Sequence, residues 1–212
     1  VGGRNGKSKK VRIADALHAL TRRSPHTLFE AIQLWWLYSV MACGLHIEGW
    51  RLDVALGDFY AADIDSGRLT EEQALELVCG LWKMFDKHSD HAVSRAIIGG
   101  KGRRNEQAAD RFCRAAMEAT RKLKQVIPQL TLRFYDGQDP ELLNQAYAML
   151  GEGGTYPMLY NDDVNIAGVM EALHADEHDA QRYYPLGCGE YMIGGASPSL
   201  LSVGWSVPKT LE

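Results

Sequence analysis

Ala96-Ile97-Ile98-Gly99-Gly100, a helical run over 105–124, and Val126-Ile127-Pro128-Gln129-Leu130-Thr131-Leu132-Arg133-Phe134 follow one another directly, and their order decides the fold class. The first reads as a short strand stopped by two glycines. The last has strand character, with Leu130, Leu132 and Phe134 on one side. Two strands joined by a helix of this length form a βαβ unit. Such a unit implies a largely parallel sheet buried under helices, an α/β fold.

The pattern continues outward in both directions. Asp139 caps a helix with Pro140 at its first position and Gly151 near its end, the usual asymmetry of helix termini. Residues 156–160 read as a short strand running into Asn161-Asp162-Asp163, with a helix over 166–173 and an acidic helix start at Asp176. Tyr183-Tyr184-Pro185-Leu186 then leads into a glycine-rich turn. Upstream, residues 1–10 are polar and Gly-rich and read as a loop. The stretch 27–44 is helical and apolar nearly all round, with Trp35, Trp36 and Tyr38 adding bulk, so an interior helix is expected. An irregular stretch dense in functional side chains follows over 45–53. Thr70 and Gln73 form a capping box opening a helix to Lys87, with Ala74, Leu77, Val78, Leu81, Trp82 and Phe85 at helical spacing. No repeat, low-complexity tract or linker divides the chain, so residues 1–212 are expected to form one domain.

Of the 212 residues, 46% are hydrophobic and 24% charged, the balance of an ordinary globular protein. A net charge of -4 with both signs interspersed is a poor match to nucleic acid or an anionic membrane. The richest apolar stretch, 28–45, is broken by Glu30 and Gln33, and no run reaches the roughly 18 residues of a membrane span. No secretory signal opens the chain, so a cytoplasmic location is expected. Both ends read as cuts: Val1 is not a start, and Thr210-Leu211-Glu212 closes on no turn or cap. The cysteines at 43, 79, 113 and 188 form no Cys-x-x-Cys pair and are expected to be reduced; the first three sit in helical segments as small core residues.

Two motifs are set aside. Gly6-Lys7-Ser8 resembles the end of a phosphate-binding loop, but Val1 stands where its first glycine belongs. His174-Ala175-Asp176-Glu177-His178 fits a His-x-x-Glu-His zinc pattern, which needs one continuous helix, whereas Asp176 reads as an N-cap between the two histidines. Gly187-Cys188-Gly189-Glu190 is different in kind. Glycine on both sides lets the backbone turn sharply around the sulfur, which a core-filling cysteine does not require. Glu190 brings a carboxylate to the same place, which disfavours a thiolate. It suits a neutral thiol or a sulfur radical, with the acid moving a proton.

This loop is similar to the Gly-Cys-Val-Glu loop of glycyl-radical dehydratases, lyases and decarboxylases, with Gly189 in place of Val and Tyr191 in place of the commoner Pro. Thr27-Leu28-Phe29-Glu30-Ala31-Ile32-Gln33-Leu34 resembles the family's Thr-x-x-Glu-Ala-x-Gln-Leu helix. Gly49-Trp50-Arg51-Leu52-Asp53, with Phe59-Tyr60, Asp63 and Gly67, resembles its Gly-Arg-x-Asp stretch, with Trp50 inserted. Gly99-Gly100 with Asn105, Pro128-Gln129-Leu130 with Arg133, and Gly151, Gly154, Pro157 and Asn161-Asp162-Asp163 match in order. The resemblance implies part of a ten-stranded α/β barrel of the pyruvate formate-lyase type, incomplete at both ends, with the cysteine loop at the barrel centre. It further implies no bound cofactor. A glycyl radical, held on a C-terminal part absent from this chain, would be installed by a radical S-adenosylmethionine activase. The partners implied are that activase, a small-molecule substrate and a second copy in a homodimer.

By the same resemblance Cys188 carries the thiyl that abstracts hydrogen and Glu190 is the general base. His46, Glu48, Arg51 and Asp53 are candidates for the substrate pocket wall, although Arg51 and Asp53 read equally well as a structural ion pair. Elimination (dehydratase, C–N or C–S lyase) or decarboxylation is expected. Formate acetyltransferase-like chemistry is the alternative, weakened because Leu186-Gly187 leaves no second sulfur before Cys188. A zinc hydrolase on His174 and His178 and a non-catalytic helical module are the readings from other classes. The isolated chain is expected to be inactive and poorly stable, because an unfinished barrel exposes sheet edges. A soluble 212-residue product that unfolds cooperatively would contradict that expectation.

Overall fold

The computed structural model describes residues 9–43, 51–88, 94–187 and 189–197. Three parallel strands stand in the order β1 (Arg95–Gly99), β2 (Gln129–Phe134), β3 (Met158–Asn161). They are joined through α5 (Glu106–Leu123) and α6 (Pro140–Gly151), so the βαβ reading of 96–134 holds. Before them come α1 (Lys9–Leu20), α2 (Leu28–Cys43), α3 (Leu52–Asp65) and α4 (Glu71–His88). After them come α7 (Asp162–Leu173), the single turn α8 (Glu177–Ala180), and an antiparallel hairpin of β4 (Tyr183–Leu186) and β5 (Glu190–Ile193).

Local chemistry sets most boundaries. The capping box is present: the Thr70 amide donates to Gln73 Oε1 at 3.0 Å and the Gln73 amide to Thr70 Oγ1 at 3.2 Å. Asp139 accepts from the Glu141 amide at 3.0 Å with Pro140 in the first turn. Asn161 accepts from the Asp163 amide at 2.9 Å, which starts α7 four residues before the expected 166. The helices α1 and α3 carry no such signal in the sequence. Arg51 in a left-handed conformation, with no side-chain cap, precedes α3.

The sheet buries both faces with different partners. Ala96, Ile98, Leu130 and Leu132 pack under the helices, in one core with Leu56, Trp82, Phe85 and Phe112. Ile97, on the opposite face, packs against Tyr184, Leu186 and Met192 of the hairpin. A strand covered on both sides must be apolar at successive positions, which is why Ala96-Ile97-Ile98 shows no alternation. Cys79 and Cys113 are buried and unbridged, as small core residues.

The expectation of an interior helix is corrected for α2. Leu28, Ala31 and Ile32 are buried, but Leu34, Leu37, Tyr38 and Val40 are exposed, and Met41 is 85% exposed. Its inner face packs on the helical core; the described residues cover nothing on the other side.

Where the three strands end, a fully buried arginine ties the layers together. Arg133 donates Nε to Asp162 Oδ1 at 2.9 Å and Nη2 to Asp162 Oδ2 at 2.8 Å, with both side chains inaccessible to solvent. Its remaining hydrogen bonds go to the carbonyls of Tyr183 at 2.8 Å and Gln181 at 3.0 Å, and the guanidinium lies 4.0 Å from the Tyr183 ring centroid. Tyr183 Oη donates to Asp162 Oδ1 at 2.7 Å. Burial and the neighbouring carboxylate hold that phenol above its ordinary range despite the Arg133 charge, so it remains a donor. Gly100, at φ 84°, lies so close that a Cβ there would be 2.6 Å from Asp162 Oδ2 and 2.8 Å from Arg133 Nε.

Removing one member of such a pair strands the other charge. We expect Arg133→Met to cost about 3–5 kcal/mol, and Arg133→Met with Asp162→Leu to recover part of it, measured by urea titration side by side.

Candidate active site

The glycine-rich segment is the tip of the β4–β5 hairpin. Leu186 pairs with Glu190, and the Gly189 amide donates to the Leu186 carbonyl at 2.8 Å, so Gly187 and Gly189 lie in the turn. Gly187 has φ 51° and Gly189 φ 124°, conformations that side-chain-bearing residues rarely adopt. The prediction that glycine serves the turn is met. Cys188 lies outside the described residues, as do His46 and Glu48.

Glu190 opens β5 and is exposed. Its carboxylate folds back along the turn: a Cβ on Gly187 would sit 3.1 Å from Glu190 Oε2. Acid and turn are therefore adjacent, as expected, but three parallel strands and one hairpin do not enclose them among the described residues.

Arg51 and Asp53 lie elsewhere. Asp53 is buried and accepts from the Gly99 amide at 3.0 Å, beside Arg103 Nη1 at 3.6 Å and Arg51 Nε at 3.9 Å. Arg51 donates to the carbonyls of Lys101 at 3.0 Å and Gly100 at 3.4 Å. Burial pushes the Asp53 carboxyl up, opposed by the two guanidiniums, and pushes the Arg51 guanidinium down. These groups tie the C-terminal end of β1 to α3. The cysteine turn is held at the other end of β1, where Arg95 Nη2 donates to the Gly187 carbonyl at 2.6 Å. The four residue-to-residue steps from Arg95 to Gly99 put about 13 Å of strand between the two places. Arg51 and Asp53 lie within ion-pair distance of each other, which fits the structural reading of the two.

Two residues at the turn escaped the sequence reading. Arg95 is 2% exposed, a charge in an otherwise apolar strand. Its signal was its register, two residues from Ile97 and so on the hairpin face of the sheet. Tyr160, on β3, faces the turn from the other side: a Cβ on Gly189 would lie 3.0 Å from its hydroxyl, and its ring meets Tyr191 edge-on at 6.1 Å. Both departures from the resembling loop, Gly189 and Tyr191, thus touch Tyr160.

The family model for pyruvate formate lyase-like proteins matches residues 5–212. The chain belongs to this family of glycyl-radical enzymes. It is 25% identical to trans-4-hydroxy-L-proline dehydratase of Clostridioides difficile, over 97% of this chain and 28% of that protein. It is also 25% identical to isethionate sulfite-lyase of Oleidesulfovibrio alaskensis, over 90% of this chain and 26% of that one. A solved structure concerned with 1,2-propanediol dehydration in Roseburia inulinivorans superposes with a TM-score of 0.74 at 23% identity, covering 89% of this chain and 26% of the other. The fold is thus part of a pyruvate formate lyase-type barrel, and the chain spans about a quarter of the length of the relatives it matches. These relatives are dehydratases and lyases. The described helices include none long and apolar enough to cross a membrane.

The pyruvate formate lyase-like loop is shaped here for glycine at 189. Gly189→Ala should destabilise by about 1–3 kcal/mol from backbone strain. Tyr160→Phe in that background should recover only a fraction, since it removes the hydroxyl contact but not the strain. Thermal denaturation of the parent, the single and the double variant checks this.

Proposed function

We propose that the protein carrying this chain is a glycyl-radical dehydratase or lyase, with residues 1–212 lying in its catalytic domain, and that it acts on a small polar organic substrate. The observation that carries the reading is the turn: Gly187 and Gly189 in glycine conformations around position 188, with the Glu190 carboxylate folded back against it. Glycine at both sides frees the backbone, and a carboxylate at that distance can exchange a proton with a group bound beside the sulfur.

The glycyl radical, held on a segment outside this chain, supplies the oxidising power when a radical S-adenosylmethionine activase has installed it. Cys188 would pass its thiol hydrogen atom to that glycyl radical and, as a thiyl, take a hydrogen atom from a substrate C–H bond. Glu190 removes a proton from the neighbouring substrate hydroxyl or amine as the leaving group departs. The thiol hydrogen atom then goes to the product radical, and the thiyl left on Cys188 would recover a hydrogen atom from the glycine, which restores the stored radical. Water must be kept from a sulfur radical, so the remaining strands of a full barrel are assigned the enclosure that the described residues lack. We place the full-length protein as a cytoplasmic homodimer of anaerobic metabolism.

Elimination is favoured over acetyl transfer to formate because Leu186-Gly187 supplies no second sulfur for an acyl group. The zinc reading loses its premise: His174 ends α7 in a left-handed conformation and Asp176 caps α8, so the two histidines do not share a helix.

Anaerobic activation of the intact protein, followed by a panel of hydroxylated, aminated and sulfonated substrates, tests the proposal. Cys188→Ala is expected to abolish turnover while the stored-radical resonance still forms, and Glu190→Gln to lower turnover about 10²–10⁴-fold. Turnover retained in Cys188→Ala would sink the reading.

A further inference from the structure

We infer that Arg95 is the positioning residue of the cysteine turn, the strut that fixes the carbonyl preceding Cys188 against the parallel sheet. The inference deepens the proposed function and rests on it for its catalytic consequence, though not for its structural one. Arg95 opens β1 on the face that receives the hairpin. One guanidinium nitrogen, Nη1, donates to Thr131 Oγ1 at 2.9 Å and to Met158 Sδ at 3.1 Å. The other, Nη2, donates to Gln129 Oε1 at 3.3 Å and to the Gly187 carbonyl at 2.6 Å. A single side chain thereby joins all three parallel strands to the first residue of the turn.

Packing alone does not account for an arginine here. Arg95 is buried, its Nε has no hydrogen-bond partner among the described residues, and no described carboxylate lies within ion-pair distance of it. Burying a guanidinium without a counter-ion is unfavourable, and an apolar side chain of similar length would fill the same space at lower cost. What methionine or leucine could not do is grip the Gly187 carbonyl. Among the described residues of the turn, the Gly187 carbonyl is the group that a side chain outside the hairpin holds. Gly187 and Gly189 both lie in left-handed or glycine-only conformations, which leaves the backbone free to swing unless something outside the hairpin holds it. Arg133 anchors the same hairpin through the Tyr183 carbonyl, four residues before Gly187, so it cannot set the angle of the tip.

For a hydrogen-abstracting sulfur, a displacement on the order of 1 Å can lower the rate about 100-fold. The test uses the intact, anaerobically activated protein with Arg95→Met, Arg95→Lys and the milder Thr131→Val, which removes one anchor of the guanidinium. We expect Arg95→Met to lower kcat about 100-fold with KM little changed. Amide hydrogen exchange should accelerate in the peptide spanning 183–193 and stay unchanged across α4 and α5. Arg95→Lys, which keeps one donor, and Thr131→Val should give intermediate values of both.

Three results would overturn the inference. The first is exchange that accelerates throughout the fold while kcat per folded molecule stays at the parent value, which makes Arg95 only structural. The second is a rise in KM at constant kcat, which makes it a substrate contact. The third is unchanged exchange over 183–193 in Arg95→Met. Should the parent protein show no radical turnover, the proposed function fails, and the exchange measurement still decides whether Arg95 holds the turn.

Discussion

The Arg133–Asp162 pair is the constraint on which the rest of the arrangement depends. It sits at the C-terminal ends of β2 and β3, and its partners join two further segments to it: the Lys101 amide after β1, and the Gln181 carbonyl with the Tyr183 carbonyl and hydroxyl at the start of the hairpin. Two charges with no solvent contact are tolerable only when every donor and lone pair is matched in good geometry. That demand makes the junction nearly all-or-none. The hairpin can dock on the sheet in one place, with Tyr183 over the guanidinium. The glycines at 99 and 100 follow from the same demand, since the chain must pass the β2 backbone and the ion pair at distances no Cβ would allow.

The sheet separates stability from chemistry by its faces. The helix-side residues Ala96, Ile98, Leu130 and Leu132 belong to the main core with α2–α6. The hairpin-side residues include Arg95, Thr131 and Arg133, all buried and all polar. In β2 strand alternation of period two therefore sorts apolar from polar residues although its central positions are all buried, whereas in β1 the hairpin side also carries Ile97, packed on Tyr184, Leu186 and Met192.

Membership in the pyruvate formate lyase-like family and the 22–25% identities to dehydratases and lyases fit this division. What distinguishes this chain lies at the turn itself. Gly189 makes room for the Tyr160 hydroxyl, and Tyr191 packs its ring on Tyr160 and, at 5.3 Å, on Tyr183. Tyr160 and Tyr191 thus meet beside a tip where the resembling loop has valine and proline, and Tyr183 backs Tyr191 from further down the hairpin.

The linear order of residues was enough for the α/β class, the βαβ unit, the capping box at Thr70, the Asp139-Pro140 start and the glycine-flanked cysteine. Each of these depends on interactions within a few residues, or on a hydrophobic period that neighbours along the chain display. The helices α1 and α3 were missed because neither carries a capping signal that reads locally. The exposure of α2 was misjudged because periodicity reports which residues are apolar and not whether anything covers them. The roles of Arg95, Tyr160 and Asp53 were likewise hidden. Arg95 and Gly187 are 92 positions apart, and Asp53 and the Gly99 amide 46, so no spacing rule joins them. Folding three strands side by side brings such distant groups within hydrogen-bond reach. It also decides that Arg51 and Asp53 brace one end of β1 while the cysteine turn is held at the other.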